Sequence, residues 1–161
     1  MDESDFRKHR DEWALQIGRF ILAFGEIEYV VDQCLVHIPK QNAFHQVCKA
    51  TFGVRADLAR KETEKRLGPH SRRKRLLRAL NNATRLANDY RHLIAHGAAH
   101  LAVYQDDEGR LDFEWSIMAL RNQEKKINYK ELFEAVNKAE EQATELYESF
   151  RELTDLLDSM P

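Results

Sequence analysis

Asn88-Asp89-Tyr90-Arg91-His92-Leu93-Ile94-Ala95-His96-Gly97 is the stretch on which the reading of this chain turns. It closes a long run of helical spacing and brings an arginine, two histidines and a glycine together. At about 100° per residue, Arg78, Asn82, Arg85, Asp89, His92 and His96 fall on one stripe of that helix. Leu76, Leu80, Ala83, Ala87, Tyr90 and Ile94 fall on another, the expected core face. Arg91 and His96 differ by about 140° of rotation and roughly 7 Å of rise, so they do not stack as an i, i+4 pair does. They converge only if Arg91 bends around the helix end or if a second copy of the helix faces the first. Gly97 is expected to end the helix in the left-handed conformation. That leaves His92 and His96 beside unpaired carbonyls, where positive charge is stabilised.

Two readings of this stretch stand side by side. Histidines before a helix-ending glycine are common punctuation, the arginine then being a solvated cation; Arg85 and His92 repeat the bare spacing. In the other reading the stretch is a site. Asn81, Asn82, Thr84 and Asn88 support it, because they are weak helix formers where a merely solvated face favours Glu, Lys and Gln. Their presence suggests hydrogen bonding at a semi-enclosed surface.

The segment RHLIAHG, with a polar residue directly after the arginine and glycine directly after the second histidine, resembles the signature of HEPN domains. The resemblance implies a compact helical bundle, usually a homodimer, and in many members a metal-independent endoribonuclease of toxin–antitoxin, phage-defence or RNA-processing systems. It places Arg91 and His96 at the two motif positions and His92 at the polar position after the arginine. The toxin branch neutralised by tyrosine modification carries a tyrosine two positions after the motif histidine. Ala98 stands there, which argues against that branch. The similarity is specific over about ten residues, and it implies an antitoxin or operon partner only for some members.

Working outward, 161 residues suffice for one domain with a real core, so residues 1–161 are expected to form a single domain. A hydrophobic content of 43%, 32% charged residues and only three prolines point to a helix-rich globular chain rather than a disordered one. No apolar run approaches the roughly 20 residues that span a bilayer, and the acidic opening Met1–Asp5 is unlike a signal peptide. A cytoplasmic protein without membrane association is the expectation. Cys34 and Cys48 lack CxxC spacing and are expected as buried reduced thiols, with no metal site and no cofactor.

Charge is divided unevenly. Residues 55–91 hold twelve Lys and Arg against four acids, whereas residues 131–158 hold nine acids against Lys138 and Arg151. A basic segment leading into the candidate site suits an anionic polymer, and Arg72, Arg73, Lys74, Arg75, Arg78, Arg85 and Asn88 are the candidate RNA contacts. Equally open is the alternative that the basic and acidic helices neutralise each other within the bundle. Glu26 and Glu28, in the middle of the first helix, read as surface charges, with orientation of the motif arginine as the alternative.

The remaining elements follow from spacing. A first helix is expected from about Ser4 to His37 on the apolar stripe Phe6, Trp13, Ile17, Phe20, Ile21, Phe24, Ile27, Val31, Cys34 and Leu35. A short helix near 44–50, a break near Gly53 and a helix over about 56–67 come next, stopped by Gly68-Pro69. After Gly97, alternation at Leu101 and Val103 and at Leu111, Phe113 and Trp115 flanks Asp106-Asp107-Glu108-Gly109 and predicts a β-hairpin. His100 and Tyr104 are secondary candidates on it. Asn128 and Glu131 form a capping box for a last helix carried by Leu132, Phe133, Val136, Ala139, Ala143, Leu146, Phe150, Leu153 and Leu157. The expected fold is all-α: an up-and-down bundle of four to five helices with a small hairpin after the motif helix. A metal-independent endoribonuclease acting on RNA as a homodimer with facing motif helices is the expected function. Its alternative is a noncatalytic module for RNA or nucleotide binding or for protein interaction.

Overall fold

The apolar stripe of the N-terminal segment becomes one helix, α1 (Glu3–His37). It is followed by α2 (Phe44–Val47), α3 (Phe52–Arg66), α4 (Ser71–Leu86), a π-turn (Ala87–Arg91) and α5 (His92–His96). Strands β1 (Ala98–Gln105), β2 (Leu111–Met118) and β3 (Lys126–Asn128) precede the final helix α6 (Tyr129–Asp158). This computed structural model describes residues 3–39, 43–68, 71–105, 107–109, 111–119 and 125–158. Pro69, His70 and Asp106 lie outside the described residues, as does the side chain of Leu157.

The chain is mostly helical with one small antiparallel sheet, and the core lies between α1, α3, α4 and α6. Phe20, Ile27, Val31 and Leu35 of α1 are fully buried against Leu76 and Leu80 of α4 and Leu132, Val136 and Leu146 of α6. Three residues of the expected core stand outside it: Phe6 is half-buried against Trp115 of the sheet, and Ile21 and Phe133 are 45% and 43% exposed. Ile21 and Phe133 sit at the margins of their stripes, and Ala23 and Ala135 are buried instead.

Direction departs from strict alternation among the four long helices. Trp13 packs on Tyr129, Arg19 binds Glu140 and His37 packs on Phe150, so α1 and α6 run the same way. An up-and-down order of the four long helices alone would oppose them, whereas the returning segment that holds the short α2 counts as a fifth, reversed member. The segment after α1 turns back along it: Ala43 N–H donates to the Leu35 carbonyl, and Phe52 then lands edge-on against Phe24. That buried anchor starts α3 at Phe52, so Gly53 lies inside the first turn rather than at a break. Helix α4 opposes α6, since Arg72 bonds the Glu152 carbonyl and Gln142 bonds the Ala79 carbonyl.

The hairpin forms with Leu101 opposite Trp115 and Val103 opposite Phe113, and Gly109 supplies its positive φ of 79°. Strand β3 joins on the far side of β2, giving the order β1-β2-β3. Its three residues are too few to show alternation in the sequence. The capping box forms as expected, with Asn128 N–H donating to Glu131 and Glu131 N–H to Asn128 Oδ1 at 2.8 and 3.0 Å. Cys34 is buried, and burial pushes its thiol well above its ordinary pKa. Cys48 is exposed, contrary to expectation, because α2 is too short to carry it into the core.

Candidate functional site

The polar stripe is realised as read: Arg78, Asn82, Arg85, Asp89, His92 and His96 are all exposed, while Leu76, Leu80, Ala83 and Ile94 are buried. The π-turn that ends on Arg91 is new. Single π-turns are rare inside α-helices and recur at functional sites. Nothing in the apolar periodicity signals it, although Asn88-Asp89 is a weak helical pair. Lys125 Nζ reaches the Asn88 carbonyl from across the chain at 3.4 Å, and Lys138 lies 5.7 Å over the Tyr90 ring.

Gly97 ends the helix for another reason than the expected one. Its φ of −73° and ψ of 158° are extended, and its N–H donates to the Leu93 carbonyl at 2.7 Å. A Cβ at this position would collide with Leu93 O and Ile117 Cγ2 and lie 3.0 Å from Met118 O. The glycine therefore lets β2 pack directly onto the end of α5, which fixes the sheet against the motif.

Arg91 turns toward α1. Its Nη2 lies 2.6 Å from Oε1 of Glu28, an ion pair rather than an aligned hydrogen bond, and its guanidinium sits 5.3 Å from the Phe24 ring centroid. The other oxygen of Glu28 accepts from Arg55 Nη2 at 3.1 Å, and Arg55 Nη1 donates to Asp32 Oδ2 at 2.6 Å. Asp32, Arg55, Glu28 and Arg91 thus form a charge-balanced chain. Side-chain exposure rises along it from 10% at Arg55 to 26% at Glu28 and 37% at Arg91, so the motif arginine is its solvent end. Glu28 is therefore the residue that orients the arginine, not a surface charge. The sequence held a signal for this: Glu28 and Asp32 stand four apart at the margin of the stripe through Phe24, Ile27 and Val31.

His92 and His96 face solvent with ring centroids 5.1 Å apart. Residues 92–96 are α-helical, so the angular separation of Arg91 and His96 persists. Within one chain the motif arginine and the motif histidine point apart. Asn88 is exposed on the same segment.

The seven candidate RNA contacts divide. Arg75 lies among three glutamates of α6, donating to Glu145 at 3.2 Å, to Glu148 at 2.9 Å and to Glu152. Its hydrogen bonds to Glu145 and Glu148 hold its guanidinium pKa above the ordinary value. Arg73 caps α3 through the Leu67 carbonyl at 2.7 Å, and Arg72 bonds the Glu152 carbonyl at 3.2 Å. Lys74, Arg78 and Arg85 are exposed and make no ion pair among the described residues. The basic segment thus both neutralises α6 and leaves a free row of cations ahead of the motif. His100 and Tyr104 are exposed on β1, and Tyr104 donates to Glu114 at 3.1 Å, which raises its pKa.

Among the described residues no group of three His, Cys, Asp or Glu side chains is placed to hold a metal ion, and no helix is long and apolar enough to cross a membrane. Compared with models of known protein families, with curated proteins and with solved structures, the chain matches none.

Proposed function

We propose that this chain is a HEPN-type, metal-independent endoribonuclease, of the kind found as toxin or phage-defence components, acting as a homodimer with its motif helices facing each other. The observation that carries the proposal is the half-exposed Arg91, held by Glu28 and Phe24, on the same short segment as the exposed imidazoles of His92 and His96, which point away from it within one chain and meet it only across two facing copies. RNA carries its own nucleophile. Attack of a 2′-hydroxyl on the adjacent phosphorus forms a 2′,3′-cyclic phosphate and expels the 5′-oxygen; one proton leaves the hydroxyl and one reaches the leaving group. His96 acts as general acid or base, Arg91 stabilises the charge on the phosphorane, and His92 assists or orients. Lys74, Arg78 and Arg85 guide the phosphate backbone toward the site.

Positioned acid–base catalysis contributes roughly 10²–10⁴-fold. His96→Ala is expected to lose cleavage by that factor while retaining RNA, because the free cations are untouched. A folded His96→Ala protein that cleaves at the wild-type rate would sink the mechanism.

One observation favours a second reading. The charge of Arg91 is matched inside the chain by Glu28, as in a structural ion pair. A noncatalytic module that grips RNA, nucleotides or a protein partner would show RNA retention with no cleavage by either protein.

A further inference from the structure

His92 and His96 stand four residues apart in α5, the spacing that sets two side chains one above the other on a single helical face. The π-turn ends at Arg91, so the pair lies wholly in regular α-helix. Between the two, Leu93 and Ile94 are buried, and Gly97 seats the helix end on β2. The backbone that carries the imidazoles is therefore held from below. Both histidines are exposed, and neither makes a hydrogen bond or ion pair among the described residues.

The separation of the rings fits a chelate. A zinc ion binds an imidazole nitrogen at about 2.0–2.1 Å, which puts it roughly 3.2 Å from the ring centre. Two rings set at a tetrahedral angle around one such ion have centres about 5 Å apart. The observed centroids are 5.1 Å apart, with the ring planes inclined at 53°. The surroundings agree with a cation there. Arg91, the neighbour of His92 in sequence, is turned to Glu28 of α1, so its charge is matched away from the rings. The pair also closes the motif helix, where unpaired carbonyls favour positive charge.

We propose that His92 and His96 form a two-point chelate for a divalent transition ion of the zinc type, with water in its remaining positions. Neutral imidazole suits zinc, copper and nickel, whereas magnesium and calcium take oxygen ligands. Two protein ligands fall short of the three of a catalytic zinc centre and the four of a structural one, so the ion exchanges. What the ion does to the site rests on the proposed nuclease. It takes the lone-pair nitrogen of each imidazole and leaves neither ring able to accept a proton, which makes it a reversible inhibitor of a reaction that itself uses no metal.

Calorimetric titration with zinc chloride, in chelator-free buffer at a pH where imidazole is neutral, tests the site. Magnesium chloride is the counter-probe, and circular dichroism checks folding. One Zn²⁺ per chain is expected, with no heat from Mg²⁺. His92→Ala and His96→Ala should each weaken binding by about tenfold or more, since one ligand then holds the ion without the other. Cys48→Ser and His100→Ala should leave it unchanged. Proton NMR of the wild type reads the site without substitution: the imidazole signals of His92 and His96 are the ones that Zn²⁺ should move. A wild type that binds no Zn²⁺ overturns the proposal, as does undiminished binding in either His92→Ala or His96→Ala. Loss of binding in Cys48→Ser alone also overturns it, by moving the ion to the exposed thiol. Cleavage is scored apart: a protein that binds Zn²⁺ through both histidines yet never cleaves RNA in chelator keeps the chelate and removes the nuclease.

Discussion

Glu28 is the side chain on which the site depends at the scale of single residues. Its two oxygens serve two arginines, Arg55 from the buried side and Arg91 from the open side. Glu28→Gln keeps the shape and removes the charge, leaving Arg55 to Asp32 and Arg91 without its anchor. We expect a loss of about 1–3 kcal/mol in stability, read as a lowered Tm. We also expect a fall of about tenfold or more in single-turnover cleavage, because a misplaced arginine no longer meets the phosphorane. RNA affinity should hold or rise, since a competing carboxylate is gone. A variant that loses RNA affinity and cleavage together would make Glu28 a general structural support rather than a positioning residue for Arg91.

At the scale of elements, the end of the motif helix is defined by its contact with the sheet. Gly97 is there because β2 comes too close for a side chain, so Gly97→Ala must push either Ile117 or the α5 end aside. Overpacking of this kind costs about 1–3 kcal/mol. Thermal unfolding of Gly97→Ala should show it, with cleavage falling as His96 is displaced; an unchanged Tm would mean that the sheet does not bear on the motif. This is where sequence reading and structure part. Helical spacing suffices for α1, α4 and α6, because each buries a periodic stripe, and the Asn128–Glu131 capping box is legible because it is local. The π-turn, the extended Gly97 and β3 are not legible. Each is decided by what packs against it from elsewhere in the chain, and local spacing carries no trace of that. Likewise, the return of the chain after α1 depends on Phe52 meeting Phe24, a contact between residues far apart in sequence.

Across the whole molecule, the charge asymmetry resolves into two populations. Arg75 is engaged by Glu145, Glu148 and Glu152, whereas Lys74, Arg78 and Arg85 have no such partners among the described residues. Replacing the three free cations with alanine should lower RNA affinity and reduce the slope of log affinity against log salt by about 2, at roughly 0.7 per phosphate contact on a single strand. Arg75→Ala should leave that slope unchanged and act on stability instead. If the two substitutions change the slope equally, the division of the basic segment is wrong. The row of free cations leads to the two histidines and the anchored arginine, so what happens to RNA there decides the function. The most direct measurement incubates the purified protein with mixed RNA in the presence of a chelator and reads the fragment termini. Wild type is expected to leave 2′,3′-cyclic phosphate or 3′-phosphate ends, and His96→Ala none. Intact RNA from both, still bound, would contradict the nuclease and leave the binding module in its place.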